Sequence, residues 1–340
     1  EKLSPLPSAL KAIHFPEISE QWSEARRRLA FDELLILQIT QRLARRTLNE
    51  TPAHPLVFHE EEIKQFLASL PFQLTDSQKK ATWEIVKDLS QSTPMNRLLE
   101  GDVGSGKTLV SIIAAYNAAL SHVQIAYVAP TEILAKQIYE TYKKFLGRQC
   151  VNALITGKQA LVSDGEEVPR KKLIERIQKG DISIVIGTHA LLEEKVRFAN
   201  LALAVIDEQH RFGVNQRKSL REKNRSGTMP HLLSMTATPI PRSLALTIYG
   251  DLDVSIIDAL PTGRKKIITK VVPARYRTWT YEFIRKQVSM GRQAFIVCPK
   301  IDPSDTTGVK SVTEEYKRLS KEVFSDLTIG MLHGKLSPDK

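Results

Sequence analysis

Eight consecutive residues, Gly101-Asp-Val-Gly-Ser-Gly-Lys-Thr108, carry the plainest chemistry in the chain. They fit G-x-x-x-x-G-K-[ST] and lie between an apolar, strand-like run and a helical stretch. Gly101, Gly104 and Gly106 allow backbone N–H groups to curl around phosphate oxygens, and the following helix turns the positive end of its dipole toward them. Lys107 supplies a point charge for the β and γ phosphates, and the Thr108 hydroxyl suits Mg²⁺. Such a string arises by chance in on the order of one chain in a hundred of this length. The bland alternative is a structural glycine-rich turn. The strand before it and the helix after it weigh against that.

A second constellation is Ala204-Val-Ile-Asp207-Glu208-Gln209-His210. An apolar strand delivers two carboxylates at its end. Asp207 suits Mg²⁺, which takes few protein carboxylates. Glu208 is placed to orient or deprotonate an attacking water, because phosphoryl transfer depends on in-line positioning. Alone, a strand ending in Asp-Glu is often structural; about 100 residues after a phosphate loop it completes an ATPase. Gln209 and His210, beside the carboxylates, read as coupling residues rather than metal ligands. Further on, Ser234-Met-Thr236-Ala-Thr238-Pro239 ends another apolar run, where small hydroxyls can bond to the 207–208 segment and sense the γ-phosphate. Upstream, Gln78 offers an amide donor and acceptor for the adenine edge. Phe72 is placed to pack on the base, and Thr75 reads as a helix N-cap, a role compatible with both.

These residues need a scaffold that brings separated loops together. From residue 96 short apolar runs alternate with helical stretches: Arg97–Leu99, Gln124–Ala129, Val151–Ile155, Ile182–Ile186, Leu203–Ile206 and His231–Met235 as strands, Thr108–Leu120 and Glu132–Phe145 as helices. Buried strands alternating with helices imply an α/β fold, a parallel sheet with helices on both faces. Sites in such sheets lie at the carboxyl ends of the strands. A break at Leu260-Pro-Thr-Gly263 precedes a second alternation. It comprises strands Lys266–Val272, Ala294–Val297 and Leu327–Met331 and helices Tyr276–Met290 and Val312–Phe324. Ahead of the first α/β unit, residues 1–20 read as irregular because of Pro5, Pro7 and Pro16. Gln21–Leu48 reads as one long amphipathic helix that Ser23 caps, with a solvated arginine face, and Glu60–Leu70 as a short helix. The organisation expected is a helical linker over 1–62, an ATP-binding domain over 63–262, and the first part of a second α/β domain over 263–340.

Composition narrows the partners. The net charge is +11, and residues 264–340 hold 16 Lys and Arg against 8 Asp and Glu. A surplus of that kind suits a polyanion, most often nucleic acid, with a merely solubilising surface as the alternative. No apolar run approaches the ~20 residues of a membrane span. The segment Leu29–Ile39, interrupted by Asp32, Glu33 and Gln38, reads as a packed helix. Cys150 and Cys298 lack metal-ligand spacing and read as small buried hydrophobes in a reducing cytosol. The opening Glu1, without Met, and the abrupt stop at Lys340 suggest part of a longer protein.

The order of these motifs resembles that of superfamily 2 helicases. Ala129-Pro-Thr-Glu132 is similar to motif Ia, Thr156-Gly157 to the strand-end motif that follows, and Gly187-Thr188-His189 to motif Ib. The resemblance implies RecA-like domains, ATP and Mg²⁺ as cofactors, and contact with the phosphodiester backbone through Pro130, Thr131, Thr156, Gly157, Thr188 and His189. For His189 a satisfied structural histidine is at least an equal reading. Asp207-Glu-Gln-His-Arg-Phe-Gly213, Met235-Thr-Ala-Thr-Pro-Ile-Pro-Arg242 and Tyr249-Gly-Asp-Leu-Asp253 resemble most closely the RecG family of bacterial DNA helicases, as does Glu24–Leu35. That likeness implies an ATP-driven DNA translocase acting, as a monomer, on branched DNA such as forks and Holliday junctions in recombination and repair. It implies a cytoplasmic, nucleoid-associated location without a membrane partner, and leaves open any contact with single-stranded DNA-binding protein. It also implies that a wedge domain before residue 1, the later motor motifs and their arginine finger lie outside these residues. An arginine finger supplies ~10³–10⁵ in rate, so weak hydrolysis and no unwinding are expected of this stretch alone. The rivals are a translocase like the transcription-repair coupling factor Mfd, an RNA helicase, and a non-motor module whose phosphate loop is only a switch.

Overall fold

Strand β2 (Gln124–Val128) sets out the logic of the fold, because its side chains alternate between two apolar layers. Ile125 and Tyr127 enter one buried cluster with Ile112, Ile113 and Tyr142, while Ala126 and Val128 enter another with Leu173 and Ile177. A computed structural model of the chain describes residues 3–49, 52–147, 149–163, 166–188, 191, 196–207, 224, 227–238, 252–259, 267–299, 311–334 and 336; the side chains of 41, 44, 45 and 47–49 are not described. It divides into two compact units, Glu1–Arg264 and Lys265–Lys340.

The first unit begins with helices α1 (Leu6–His14) and α2 (Ser19–Asn49). Three prolines had pointed to irregular chain here. Instead Pro5 is the N-cap of α1 and Pro7 lies in its first turn, where a missing N–H costs nothing. Ser19 opens α2, so Ser23 lies inside that helix rather than capping it. The apolar stretch expected to be packed is exposed: Phe31, Leu34, Leu35, Ile36 and Leu37 face solvent, Ile36 at 68%. The helical period was read correctly, but the described residues provide no second layer over that face.

Next come α3 (Glu60–Ser69), α4 (Asp76–Leu89), β1 (Asn96–Gly101), α5 (Lys107–Leu120), β2 and α6 (Glu132–Leu146). They are followed by β3 (Asn152–Ile155), β4 (Ala160–Val162), α7 (Arg170–Lys179), β5 (Ile184–Gly187), β6 (Leu201–Asp207), β7 (His231–Thr236) and β8 (Asp253–Ile257). The strands form one sheet in the order β4-β3-β5-β2-β6-β7-β1-β8. All pairings are parallel except β3 with β4. The α/β fold class is as read from the alternation. The short antiparallel β4 and the edge strand β8 were not foreseen, since three and five residues leave little periodic signal.

Helices cover both faces. One apolar cluster joins Ile63 and Phe66 of α3, Ile85 of α4, the buried side of α5, and Tyr139 and Tyr142 of α6. The other seats Leu173 and Ile177 of α7 on β2, β3 and β5. A strap, residues 53–59, ties α3 to this body: Leu56 N–H donates to Leu89 O and His59 N–H to Asn117 Oδ1. His231 on β7 is buried between Met95 and His54. Its Nδ1 accepts from Met95 N–H at 3.0 Å, which leaves Nε2–H to donate to His54 O at 2.9 Å. Burial lowers its pKa. Cys150 is buried and its thiol is pushed up to about 11, whereas Cys298, expected to be buried, is half-exposed.

The second unit contains α8 (Arg277–Ser289) and α9 (Val312–Arg318), the latter continued by a π-helical turn at Leu319–Val323. Tyr281 and Phe324 pack edge to face at 5.5 Å, and Arg285 bonds to Asp326 and Val323 O. The three strands expected here are corrected. The described residues within Lys266–Val272, Ala294–Val297 and Leu327–Met331 are not strands and no ladder pairs them. Extended apolar segments become strands only when neighbours take up their backbone groups, and the described residues offer none.

Candidate functional site

Because all strands but β4 run the same way, their carboxyl ends share one edge of the sheet. The phosphate loop, Asp207, the threonine turn and the loops after β2, β3 and β5 lie along that edge. Gly101, at the end of β1, leads into the phosphate loop. Gly104 and Gly106 both take positive φ, 78° and 94°, a region that only glycine adopts freely. Gly106 caps α5 from that conformation, and the carbonyl of Asp102 accepts from Ser105 N–H at 3.1 Å, closing the turn. Lys107 Nζ folds onto the loop it serves, donating to Gly101 O at 2.6 Å and Asp102 O at 3.0 Å.

Gln78 is buried behind the loop at 3% exposure. Its Oε1 accepts from Thr75 N–H at 2.9 Å, its own N–H reaches Thr75 Oγ1, and the pair forms a capping box at the start of α4. Its Nε2 donates to Ser105 O at 2.7 Å. Thr75 therefore caps, as expected, and Gln78 grips the phosphate loop; its oxygen and one amide hydrogen are already engaged. Phe72 is 46% exposed and lies edge to face with Phe145 at 6.3 Å.

Asp207 closes β6 and pairs in register with Met235, while Thr236, one residue on, pairs with Glu100 beside Gly101. The strand ending in Asp207, the threonine strand and the phosphate loop are thus neighbours in space although about 100 residues separate the loop from Asp207 in sequence. Thr236 and Thr238 hydroxyls meet at 2.9 Å, and Thr236 Oγ1 accepts from Thr238 N–H at 3.2 Å, so the pair shapes its own turn. Glu208, Gln209 and His210, like His189, lie outside the described residues.

Two residues went unnoticed in the sequence. Tyr127 of β2 is fully buried and its hydroxyl donates to Asp207 Oδ2 at 3.3 Å. Burial, reinforced by the charge of Asp207, raises its pKa well above the tyrosine norm. Tyr142 of α6 meets Ser111 Oγ at 3.0 Å, and Ser111 in turn donates to Thr108 O at 2.8 Å. Both read in the sequence as ordinary core aromatics, and no local signal distinguishes them.

The remaining motif residues group at the ends of β2, β3 and β5, adjacent strands on the far side of β6. Ala129 N–H donates to Gly187 O at 2.8 Å, tying the β2 and β5 ends together. Pro130 is half-buried, and Thr131 is exposed and caps α6 by accepting from Leu134 N–H. Gly157 faces Glu132 so closely that an added Cβ would lie 2.9 Å from Glu132 Oε1. Thr156 is 2% exposed; its hydroxyl accepts from Lys158 and Gln159 N–H, and Arg170 donates to its carbonyl. The Thr156 side chain therefore shapes its loop from inside, leaving Gly157 and Lys158 at the surface. Thr188 is half-buried and its carbonyl accepts from Leu191 N–H.

The site suits a metal–nucleotide pair on its own geometry. The loop forms a cradle of left-handed glycines, and Ser105 Oγ is fully buried without a hydrogen-bond partner among the described residues. A hydroxyl from Thr108 and a carboxylate from Asp207 make a hard oxygen set of the kind Mg²⁺ takes when phosphates and water complete its shell. Among the described residues no group of three or more His, Cys, Asp or Glu is placed to hold a metal. Likewise no described helix is long and apolar enough to cross a membrane.

A phosphate loop, a strand-end aspartate and a threonine turn lie on neighbouring parallel strands, and residues 75–247 match the DEAD/DEAH box helicase family, to which the chain belongs. Its similarity is finer than that. It is 44% identical to the ATP-dependent DNA helicase RecG of Synechocystis sp. over 98% of this chain and 40% of that protein. It is 44% identical to RecG of Thermotoga maritima over 100% and 42%, and 43% identical to RecG of Bacillus subtilis over 100% and 49%. A RecG structure bound to a three-way DNA junction superposes with a TM-score of 0.80 at 39% identity, over 95% of this chain and 42% of that one. The resemblance drawn from the motifs is borne out by these matches. The chain spans between 40% and 49% of the length of these curated relatives.

Proposed function

We propose that the chain carries the ATP-binding motor of a DNA translocase that remodels branched DNA in recombination and repair. The observation that carries this reading is the shared sheet edge. The nucleotide loops leave β6, β7 and β1, and the candidate nucleic-acid loops leave β3, β5 and β2, side by side along one sheet. The 39% identical relative bound to a three-way junction supports branched DNA as the substrate class, and the charge of +11 supports a polyanion. We assign 1–62 to a helical linker, 63–262 to the ATP-binding RecA-like domain and 263–340 to the start of a second one, with action as a monomer in the bacterial cytoplasm.

The chemistry falls to few residues. Lys107 and the loop amides hold the phosphates, and Gln78 and Phe72 flank the base. Thr108 and Asp207 would hold Mg²⁺, which when bound neutralises charge developing on the phosphates. Glu208 positions the water and takes up its proton. Gln209, His210, Thr236 and Thr238 relay the state of the nucleotide toward the nucleic-acid side. Pro130, Thr131, Gly157, Thr188 and His189 line the phosphodiester path, with Thr156 supporting it from within. Contacts of this kind grip the backbone and carry no sequence information.

The test is ATPase rate of the full-length protein with linear duplex, single-stranded and three- or four-way branched DNA, beside Glu208→Gln. Strongest stimulation by branched DNA, abolished by Glu208→Gln, is the expected result. Stimulation by linear duplex alone would point to a translocase of the Mfd kind. Stimulation by RNA instead, or none by any polynucleotide, would sink the reading.

A further inference from the structure

The two residues assigned to the metal are each reached by a buried hydroxyl that the reaction itself does not use. Tyr127, on β2, directs its hydroxyl to Asp207 Oδ2 at 3.3 Å. It stands opposite Val205 in the parallel pairing of β2 with β6. Asp207, two residues further along β6, therefore faces the same layer, and the phenol reaches it diagonally. Tyr142, on α6, lies 3.0 Å from Ser111 Oγ, and Ser111 has already given its one proton to Thr108 O at 2.8 Å, so the tyrosine is the donor. The two rings hold each other edge to face, 5.6 Å apart at 73°. Tyr127, Tyr142 and Ser111 are all fully buried. The 3.3 Å separation is long for a hydroxyl bond.

We propose that Tyr127 is a positioning residue that fixes the Asp207 carboxylate for a divalent cation, and that Tyr142, through Ser111, does the same for the first turn of α5 that carries Thr108. The proposal rests on reading Asp207 and Thr108 as the metal-holding residues. A phenylalanine at either position keeps the ring, its packing and its edge-to-face partner, and removes only the hydroxyl. Groups that orient a metal ligand typically contribute about tenfold or more to metal affinity.

The experiment is binding of a fluorescent ADP analogue to the protein while Mg²⁺ is titrated in from an EDTA-buffered start. Tyr127→Phe should bind the nucleotide in EDTA as the unaltered protein does, keep its thermal midpoint without nucleotide, and need about tenfold more Mg²⁺ to reach half of the Mg²⁺-dependent gain. Tyr142→Phe should shift in the same direction. Asp207→Asn should lose the Mg²⁺-dependent gain. If Asp207→Asn loses it while both phenylalanine variants titrate like the unaltered protein, the proposal is wrong and the metal assignment stands. If Asp207→Asn keeps it, the metal assignment falls and the proposal with it. A phenylalanine variant that needs less Mg²⁺ would also overturn the positioning role.

Discussion

Gln78 and Gly106 are locked together: a Cβ added to Gly106 would lie 2.3 Å from Gln78 Nε2, and Gly106 holds φ at 94°. Gly106→Ala meets both obstacles. A non-glycine residue in that region costs about 1–3 kcal/mol, and the clash drives Gln78 off Ser105 O. Loss of nucleotide binding with a lowered urea midpoint is expected. In the double variant Gly106→Ala with Gln78→Ala the clash is gone and the backbone strain remains, so part of the stability should return. A double variant no more stable than Gly106→Ala would count against the contact.

Lys107 and Glu208 should separate binding from turnover. Lys107→Ala is expected to abolish nucleotide binding, because the cradle then lacks its point charge. Glu208→Gln should bind ATP normally and turn it over about 10²–10⁴-fold more slowly, the usual contribution of a proton-accepting group. Equilibrium binding and single-turnover hydrolysis measured on both variants decide it; equal losses in both assays would remove Glu208 from the role of base.

Gly157 tests the nucleic-acid edge. A Cβ there meets only the far end of the Glu132 side chain, so Gly157→Ala should leave stability within about 0.5 kcal/mol. It displaces the Glu132 carboxylate at the β2 and β3 end loops, so affinity for branched DNA should drop several-fold while ATPase without DNA stays unchanged. Fluorescence anisotropy with a labelled junction measures the first, and unchanged affinity would move the DNA path elsewhere.

His231 sets a pH dependence of stability. Its folded-state pKa lies below the ordinary histidine value of 6.5 because burial disfavours the charged ring. Above about pH 6.5 the ring is neutral folded and unfolded, and its contribution is complete. As pH falls below that value the unfolded chain takes up a proton that the folded one resists, so stability declines. Urea midpoints between pH 7.5 and 5.5 should show a decline that His231→Gln flattens. His231→Ala, which leaves Met95 N–H and His54 O without partners, should cost about 1–3 kcal/mol for each.

Much of this was legible in advance. The six apolar runs read as strands between 97 and 235 are strands, and the helices at 108–120 and 132–145 begin and end within a residue or so of their places, because burial on both faces and a clean helical period are local properties. What failed, failed for stated reasons. Prolines at the start of α1 suggest breakers by residue type, whereas their position makes them starters. The α2 apolar face was read as packed, though packing needs a partner that periodicity does not reveal. Three apolar runs of the second unit lack a ladder among the described residues. At the site the phosphate loop was recognisable from spacing alone, since eight contiguous residues build it. Tyr127 and Tyr142 were not recognisable at all.

The sequence by itself determined the kinds of chemistry available: a glycine-rich cradle with Lys107 and Thr108, a carboxylate at the end of an apolar strand, small hydroxyls at the end of another. Each is a short contiguous string whose function follows from local backbone conformation. Only the tertiary structure decided which strings meet. Strand order in a parallel sheet is set by long-range pairing, and no local spacing encodes that β6 lies between β2 and β7. That order brings Asp207 beside the phosphate loop, gathers the β2, β3 and β5 loops on the other side, and delivers the Tyr127 hydroxyl to the carboxylate 80 residues away.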